Sequence, residues 1–226
     1  MKIPYFPGCT SKTTAKNLEI PALKSAEALG IELVELPRWN CCGVVSSLTS
    51  DNLMNHLASV RNFIRVQEMN IDHIVENEHR LVTICSMCYN TLSLTNRRVI
   101  DNPEELESLN TFMHEEKIDY KGEVEVIHYL QLLRDLGFQK IENKVVNPLR
   151  KLKIAPYYGC MLLRPKEAGI DDPENPTILE DLVESLGAEP VSWNYANRCC
   201  GSYHTVNNVG IVLNLAEGII NNARGS

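Results

Sequence analysis

The sequence predicts an α/β protein made of two pseudo-repeated copies of one parallel-sheet unit. Short apolar runs alternate with helical patterns along its 226 residues, which is typical of parallel sheets flanked by helices. In each copy, a Gly-Cys pair follows the first apolar run, and a Cys-Cys-Gly motif follows the second. The first copy with a helical linker is expected over residues 1–150, and the second over residues 151–226.

In the first copy, residues 3–6, 31–36 and 80–84 are short apolar runs and are predicted to be strands. A helix between the first two starts near Thr10 and ends near Gly30, a residue type that is common after helices. The apolar positions of this helix are Leu18, Leu23, Ala26 and Leu29. The apolar face of the next helix, which Asp51 is predicted to cap, consists of Leu53, Leu57, Val60 and Ile64.

The second copy repeats the order of elements after an acidic segment, 101–151, that is predicted to be a helical linker. Residues 153–158 are predicted to be a strand, 177–186 a helix, 191–193 a short extended segment and 209–223 a final helix. Functional groups collect at the carboxyl ends of parallel strands. The cysteines of each copy are therefore expected at one edge of a sheet.

All eight cysteines fall inside this repeated pattern. They are Cys9, Cys41, Cys42, Cys85, Cys88, Cys160, Cys199 and Cys200. Clustered thiolates at short spacings are typical ligands of iron–sulfur clusters. A disulfide framework fits poorly, because adjacent cysteines bridge only with strain and cytoplasmic thiols stay reduced. Zinc takes four ligands, whereas the first copy offers five thiols, so iron–sulfur is favoured and a zinc-stabilised assembly scaffold is the alternative.

Composition excludes several classes of function. The net charge of −7 and pI near 5.4 argue against nucleic acid as a partner. The sequence contains no run of 18 apolar residues and no signal-peptide pattern, so we expect no transmembrane segment and a cytoplasmic location. It also lacks a Gly-x-Gly-x-x-Gly fingerprint, so neither NAD nor flavin is expected to bind this chain directly.

The spacing Cys-x(31)-Cys-Cys-Gly-x(41)-Cys-x-x-Cys resembles the cysteine-rich CCG domain. Four strings, WNCCG at 39–43, CSMCYN at 85–90, YGCMLLRP at 158–165 and DDPENP at 171–176, sharpen the match. Together they resemble the HdrB subunit of heterodisulfide reductase, and the resemblance covers essentially the whole chain. It implies an oxidoreductase subunit that cleaves a disulfide at two noncubane [4Fe-4S] clusters, each of which delivers one electron and captures one sulfur.

The resemblance also implies ligands and partners. One full ligand set is Cys9, Cys41, Cys42, Cys85 and Cys88. Three of the five ligands of the second cluster are Cys160, Cys199 and Cys200. The implied partners are an HdrC-like iron–sulfur subunit and an HdrA-like flavin subunit. An alternative within redox biology is a CCG-type electron-transfer subunit that hands electrons to a quinone or flavin partner.

The second copy lacks a Cys-x-x-Cys, because only 26 residues follow Cys200. We therefore expect a C-terminal truncation, which leaves the second cluster without two of its ligands. His204 is a candidate proton donor near this cluster, and Arg164 is a candidate for binding an anionic substrate. Of the other histidines, His128 is expected in the core, and those expected at the surface are His56, His73, His79 and His114.

Overall fold

The structure is a computed structural model, and it describes residues 1–44, 52–75 and 79–226. The chain divides into two compact units, a first unit of Met1–Tyr129 and a second unit of Leu130–Ser226. Each unit contains a sheet whose described strand pairs are parallel, with helices before and after the strands. The predicted α/β class with parallel strands is confirmed.

A four-stranded parallel sheet forms the centre of the first unit. Its strands are β1 (Lys2–Phe6), β2 (Glu32–Glu35), β3 (Arg80–Thr83) and β4 (Glu125–His128), in the spatial order β2-β1-β3-β4. Tyr5 of β1 is paired with Glu35 on one side and with Val82 on the other. Ile3, Tyr5 and Phe6 are at most 1% exposed, so both faces of β1 are covered, as is usual in parallel sheets.

Strand β4 lies inside the segment that was predicted to be a helical linker. Its residues Val126, Ile127 and His128 are all buried against the first unit. The apolar run continues without a break into the helix that starts at Tyr129. Periodicity cannot separate a four-residue strand from a helix that follows directly, which explains why the strand was missed.

The helices of the first unit follow their strands along the chain. They are α1 (Lys16–Ala28), a 3₁₀ turn (Leu53–His56), α2 (Leu57–Ile71), α3 (Ser86–Asp101) and α4 (Pro103–Phe112). Helix α2 is a core helix, with Val60, Phe63 and Ile64 fully buried. The predicted cap Asp51 lies outside the described residues; the Asn52 side chain accepts the N–H of Met54 at 3.0 Å.

Helix α1 differs from the prediction in its start and in its buried face. It begins at Lys16 rather than near Thr10, and Leu18 is 50% exposed. The neighbouring residue, Glu19, is buried instead and is 6% exposed. The Glu19 carboxylate accepts a hydrogen bond from the Tyr5 hydroxyl at 3.3 Å and pairs with Lys12 at 2.9 Å. These partners satisfy the charge and make its burial possible.

The second unit has a two-stranded parallel sheet. Its strands are β5 (Lys153–Ile154) and β6 (Glu189–Pro190). Its helices are α5 (Tyr129–Leu136, whose first residue belongs to the first unit), α6 (Phe138–Glu142), α7 (Ile178–Ser185) and α8 (Val209–Arg224), with 3₁₀ turns at Lys166–Ala168 and Ser202–His204.

Both strands of the second unit differ from the prediction. Only two residues of the predicted strand 153–158 pair with β6, because Pro156 has no N–H and the N–H groups of Tyr158 and Gly159 bond to the Ala196 carbonyl. An extended segment was predicted at 191–193, but the strand lies two residues earlier, at Glu189–Pro190.

Two histidine predictions are resolved by burial. His56, predicted at the surface, is 5% exposed, and its Nδ1 lies 2.8 Å from the Thr95 hydroxyl. The core prediction for His128 is confirmed, because its Nε2 lies 3.1 Å from the Ile84 carbonyl and burial lowers its pKa to about 4. The side chains found exposed, as predicted, are those of His73, His79 and His114.

In the described part of the chain, no helix combines the length and apolar character needed to cross a bilayer.

Candidate metal centre

The thiols of the first unit follow the carboxyl ends of three neighbouring strands. Cys9 comes after β1, the pair Cys41 and Cys42 after β2, and Cys85 after β3. Because these three strands are adjacent and parallel, their carboxyl ends lie along one edge of the sheet. Cys88 lies one helical turn into α3, which places it on the same side as Cys85.

The five thiols form one connected series of sulfur contacts. The Sγ atoms of Cys42 and Cys88 are 3.5 Å apart, and Cys88 is also hydrogen-bonded to Cys85. At the other end, Cys41 contacts the thiols of both Cys42 and Cys9. The structure therefore brings together all five residues that the sequence singled out in the first copy.

Burial changes along this series. Cys42 is 2% exposed and Cys88 6% exposed, whereas Cys85 is partly exposed and Cys9 and Cys41 are exposed. The middle of the series is thus enclosed by the fold, the Cys85 end is partly shielded, and the end at Cys9 and Cys41 opens to solvent. A group bound here would be anchored inside and accessible from the side of Cys9 and Cys41.

The N-terminus of α3 favours a thiolate at Cys85. Its sulfur accepts hydrogen bonds from the Cys88 thiol and from the N–H groups of Cys88 and Met87, which lower the pKa of Cys85 to about 6. Contacts with Cys42 and Cys85, together with burial, raise the pKa of Cys88, and the contact with Cys88 lowers the pKa of Cys42. Thiolates are the metal-binding form of cysteine.

A glycine lets the backbone approach this series closely. Gly8 has φ +77°, and a Cβ built there would lie 3.0 Å from the sulfur of Cys88. Both the positive φ and the short distance favour glycine over any residue with a side chain.

Polar residues of α2 hold the Cys41–Cys42 loop in place. The Asn62 side chain accepts the N–H of Asn40 at 3.1 Å and donates to its carbonyl at 3.0 Å, and Ser59 donates to the Cys42 carbonyl at 3.0 Å. Both Asn62 and Ser59 are fully buried. Sequence reasoning missed them, although polar residues on an otherwise apolar core helix are a usable signal.

Three thiols of the second unit also meet. Burial raises the pKa of Cys160 to about 11, with a further contribution from its hydrogen bond to Cys199. Cys199 accepts the N–H of Gly201 at 3.3 Å and lies 3.9 Å from the Tyr203 hydroxyl. The Tyr157 hydroxyl contacts Cys200. The sequence predicted the three cysteines but neither tyrosine, since an aromatic side chain beside a motif carries no spacing signal.

The two other candidate side chains have partners of their own. Arg164 pairs with Glu174 at 2.7 Å, and both side chains are exposed. The ring of His204 packs against Tyr203 with 4.5 Å between ring centroids. His204 thus adjoins a tyrosine whose hydroxyl reaches toward Cys199.

The donor set fits a cluster of several irons better than one metal ion. A cluster presents several iron atoms and takes thiolates at each of them. Five thiols in contact, with one already favoured as a thiolate, fit such a group in number and chemical type.

Two α/β units that each gather thiols after parallel strands define a cysteine-rich protein with an internal repeat. The chain belongs to the cysteine-rich CCG domain family, whose pattern matches residues 3–93 and 154–225. It is an HdrB-like member of that family, as the sequence resemblance predicted.

The relatives support this assignment. The 8-methylmenaquinol:fumarate reductase membrane anchor subunit of Wolinella succinogenes is 33% identical, over 98% of this chain and 75% of that protein. The HdrB subunit of the ferredoxin/F(420)H(2)-dependent CoB-CoM heterodisulfide reductase of Methanosarcina acetivorans is 30% identical, over 89% of this chain and 65% of that protein. An HdrB-like protein of Archaeoglobus profundus is 29% identical, over 89% of this chain and 66% of that protein. The chain thus spans about two thirds of the two HdrB relatives.

A solved structure confirms the fold. The crystal structure of a hypothetical protein from Helicobacter pylori superposes with a TM-score of 0.61. The match covers 96% of this chain and 39% of that chain, at 13% sequence identity. At this identity the likeness shows the fold alone.

Proposed function

We propose that this chain is the iron–sulfur catalytic subunit of a heterodisulfide-reductase-like complex and reduces a disulfide to two thiols. The observation that carries the proposal is the connected series of five thiols in the first unit, in a chain of HdrB-like sequence. Thiolates in that number, at the ends of parallel strands, are what a multi-iron group needs.

The residues that would hold the first cluster are Cys9, Cys41, Cys42, Cys85 and Cys88. When bound, this noncubane [4Fe-4S] cluster would supply one of the two electrons in the reaction RSSR′ + 2e⁻ + 2H⁺ → RSH + R′SH, and the second cluster would supply the other. The second cluster would take ligands from Cys160, Cys199 and Cys200. Iron–sulfur chemistry of this kind belongs to the cofactor, and the protein contributes position and electrostatics.

The chain's own residues would prepare this site. The N–H groups at the start of α3 stabilise negative charge on Cys85, as helix N-termini do. Asn62 and Ser59 fix the loop that carries Cys41 and Cys42. The exposed thiols of Cys9 and Cys41 mark the side from which a substrate would approach.

In the second unit, the Tyr203 hydroxyl could serve as a proton donor, because it lies 3.9 Å from Cys199. The Tyr157 hydroxyl contacts Cys200, but it donates its proton to the Arg198 carbonyl at 2.6 Å. His204 packs against Tyr203 and could return a proton to it. These residues would act by moving protons to the thiols that the reaction forms.

Electrons would come from partner proteins. An HdrC-like iron–sulfur subunit and an HdrA-like flavin subunit are the proposed partners, because a disulfide needs two electrons and this chain has no expected site for a nicotinamide or flavin of its own. The HdrB relatives are named as subunits of CoB-CoM heterodisulfide reductases.

A second candidate function is electron transfer without a substrate of its own, to a quinone or flavin partner. The 33% identity to a subunit named for 8-methylmenaquinol:fumarate reductase favours it. Anaerobic assays with reduced methyl viologen separate the two candidates. Disulfide-dependent oxidation of the viologen, with two thiols formed per disulfide, supports the first. A chain whose clusters are reduced by viologen but which turns over no aliphatic disulfide contradicts the first and leaves the second.

A further inference from the structure

A cavity of the first unit opens beside the exposed thiol of Cys41. Its volume is about 710 Å³, within the range of pockets that hold small organic ligands. The walls come from the start of α2 and from the turn after α4, and Cys41 with Asn40 forms one end. The cavity therefore adjoins the solvent-facing end of the thiol series.

Apolar side chains form the inner surface of this cavity. Met54, Leu57, Phe112 and Met113 line it. Phe112 is 60% exposed and Met54 is 42% exposed, although both are large apolar residues. Two such side chains exposed around one concavity form an apolar patch of the kind that marks binding sites. A ligand that covers them would gain from their removal from water.

The charges at the rim do not favour an anion. The lining contains one arginine, Arg61, against Glu115 and Glu116, a formal charge of −1 with histidine neutral. The Nε of Arg61 already bonds to Glu116 at 2.8 Å, and Glu116 also pairs with Arg65 at 2.7 Å. Among the described lining residues, a carboxylate or phosphate would therefore meet a rim of net negative charge, in which Glu116 already offsets the charge of Arg61.

Polar groups that can donate to a neutral ligand are present at the same rim. His114 lies in the lining beside Phe112, and the Arg61 guanidinium has donors beyond the Nε that it gives to Glu116. An aromatic face next to hydrogen-bond donors matches a flat ring that carries carbonyl oxygens.

We propose that this cavity binds a neutral, flat, largely apolar ligand with hydrogen-bond acceptors, which is the chemistry of a quinone. The ring lies against Phe112 and Met54, its oxygens accept from His114 and Arg61, and its edge faces Cys41. The inference deepens the second candidate function and rests on it for the redox use of the ligand. Binding itself requires neither a disulfide nor a partner subunit.

The test is equilibrium binding of a benzoquinone with all ring positions substituted, one of them by a decyl chain, to anaerobic, cluster-loaded full chain. Full substitution prevents the ring from alkylating cysteines. We expect one ligand per chain and an affinity about tenfold weaker for Phe112→Ala and for Met54→Ala, because each loses a large apolar contact. Both side chains are well exposed, so their truncation leaves the core intact. The matched control is Ile20→Ala, which removes an apolar side chain that is 56% exposed on α1.

Three results would overturn the inference. They are unchanged affinity in both cavity variants, an equal loss in Ile20→Ala, and displacement of the quinone by an anionic disulfide such as oxidised glutathione. Disulfide turnover of the unmodified chain is measured on the same preparation. If quinone binds but no disulfide is turned over, only the proposal of disulfide reduction is contradicted. If disulfide is turned over but no quinone binds, only the proposal of a quinone site in this cavity is contradicted.

Discussion

The two units place their cysteines by the same rule but enclose them to different degrees. In the first unit β1 has a strand on each side, and the thiol pair Cys42 and Cys88 is buried. In the second unit the described ladder joins two residues of β5 to two of β6, and all three thiols are partly exposed. The comparison teaches that strand ends decide where thiols meet, whereas the surrounding strands and helices decide how well they are shielded.

The largest expected effect separates the two thiol sets by iron content. Cys42→Ser removes a thiol from the buried middle of the series, so the chain should lose about four irons. Cys200→Ser should leave the iron of the first unit in place. Iron and sulfide per chain are measured after anaerobic purification. Met87→Leu is the control, because it changes the same Cys-x-x-Cys segment as Cys85 without removing a thiol. Full iron in Cys42→Ser would contradict the ligand assignment.

Hydrogen exchange tests the difference between the two sheets. The amides of Glu189 and Val191 bond to carbonyls at the edges of a two-residue ladder, whereas β1 is buried between β2 and β3. We expect amides of β1 and β3 to exchange at least about a hundredfold more slowly, because local opening of a short ladder costs little. Strand β2, at the edge of the first sheet, should be intermediate. Equal protection in both units would break the comparison.

A buried ion pair offers a smaller effect, which is specific to the first unit. Glu116 pairs with Arg65 at 2.7 Å, with side chains 11% and 5% exposed. Glu116→Gln should lower the free energy of unfolding by about 2 kcal/mol at neutral pH, since hydrogen bonds to charged groups are worth that much. Urea unfolding measures the change. Glu115→Gln, at an exposed neighbouring position, should have little effect.

The pH dependence of this ion pair follows from the pKa of Glu116. The hydrogen bond from Arg65 lowers that pKa below its usual 4.5. A lowered folded-state pKa stabilises the protein above the unfolded-state value, and the stabilisation is lost as the pH falls through the folded-state value. The difference between the native chain and Glu116→Gln should therefore disappear in acid. A difference that stays the same from neutral to strongly acidic pH would contradict the assignment.

The smallest expected effect concerns the helix cap of the second unit. The Asp171 carboxylate accepts the N–H groups of Thr177 at 2.7 Å and Ile178 at 2.8 Å at the start of α7. Asp171→Ala should lower the free energy of unfolding by about 1 kcal/mol. Asp171→Asn keeps an acceptor and should cost less. Urea titrations of the two variants are compared, and an equal loss would show that charge, not hydrogen bonding, supplies the stability.

Local sequence patterns predicted the part of the fold that depends on strand ends. The runs before Cys9, Cys41 and Cys85 are strands, and their parallel order brings the thiols to one edge. Motif spacing alone was sufficient here, because strand direction and connection decide the position of the residue that follows.

Features that depend on tertiary partners could not be predicted. His56 is buried because Thr95, 39 positions away, supplies a hydrogen-bond partner. Glu19 takes the place of Leu18 in the interior because Lys12 and Tyr5 satisfy its charge. Such partners carry no periodic signal, and tertiary contacts override the local pattern.

The most direct test of the central claim is the amount of iron, zinc and acid-labile sulfide per chain in anaerobically purified protein, with EPR of the oxidised form. The account predicts iron and sulfide in equal amounts, about four per chain with the first site filled and about eight with both. It also predicts an EPR signal from a multi-iron cluster. Zinc without sulfide would contradict it and would leave the thiols as a structural metal site.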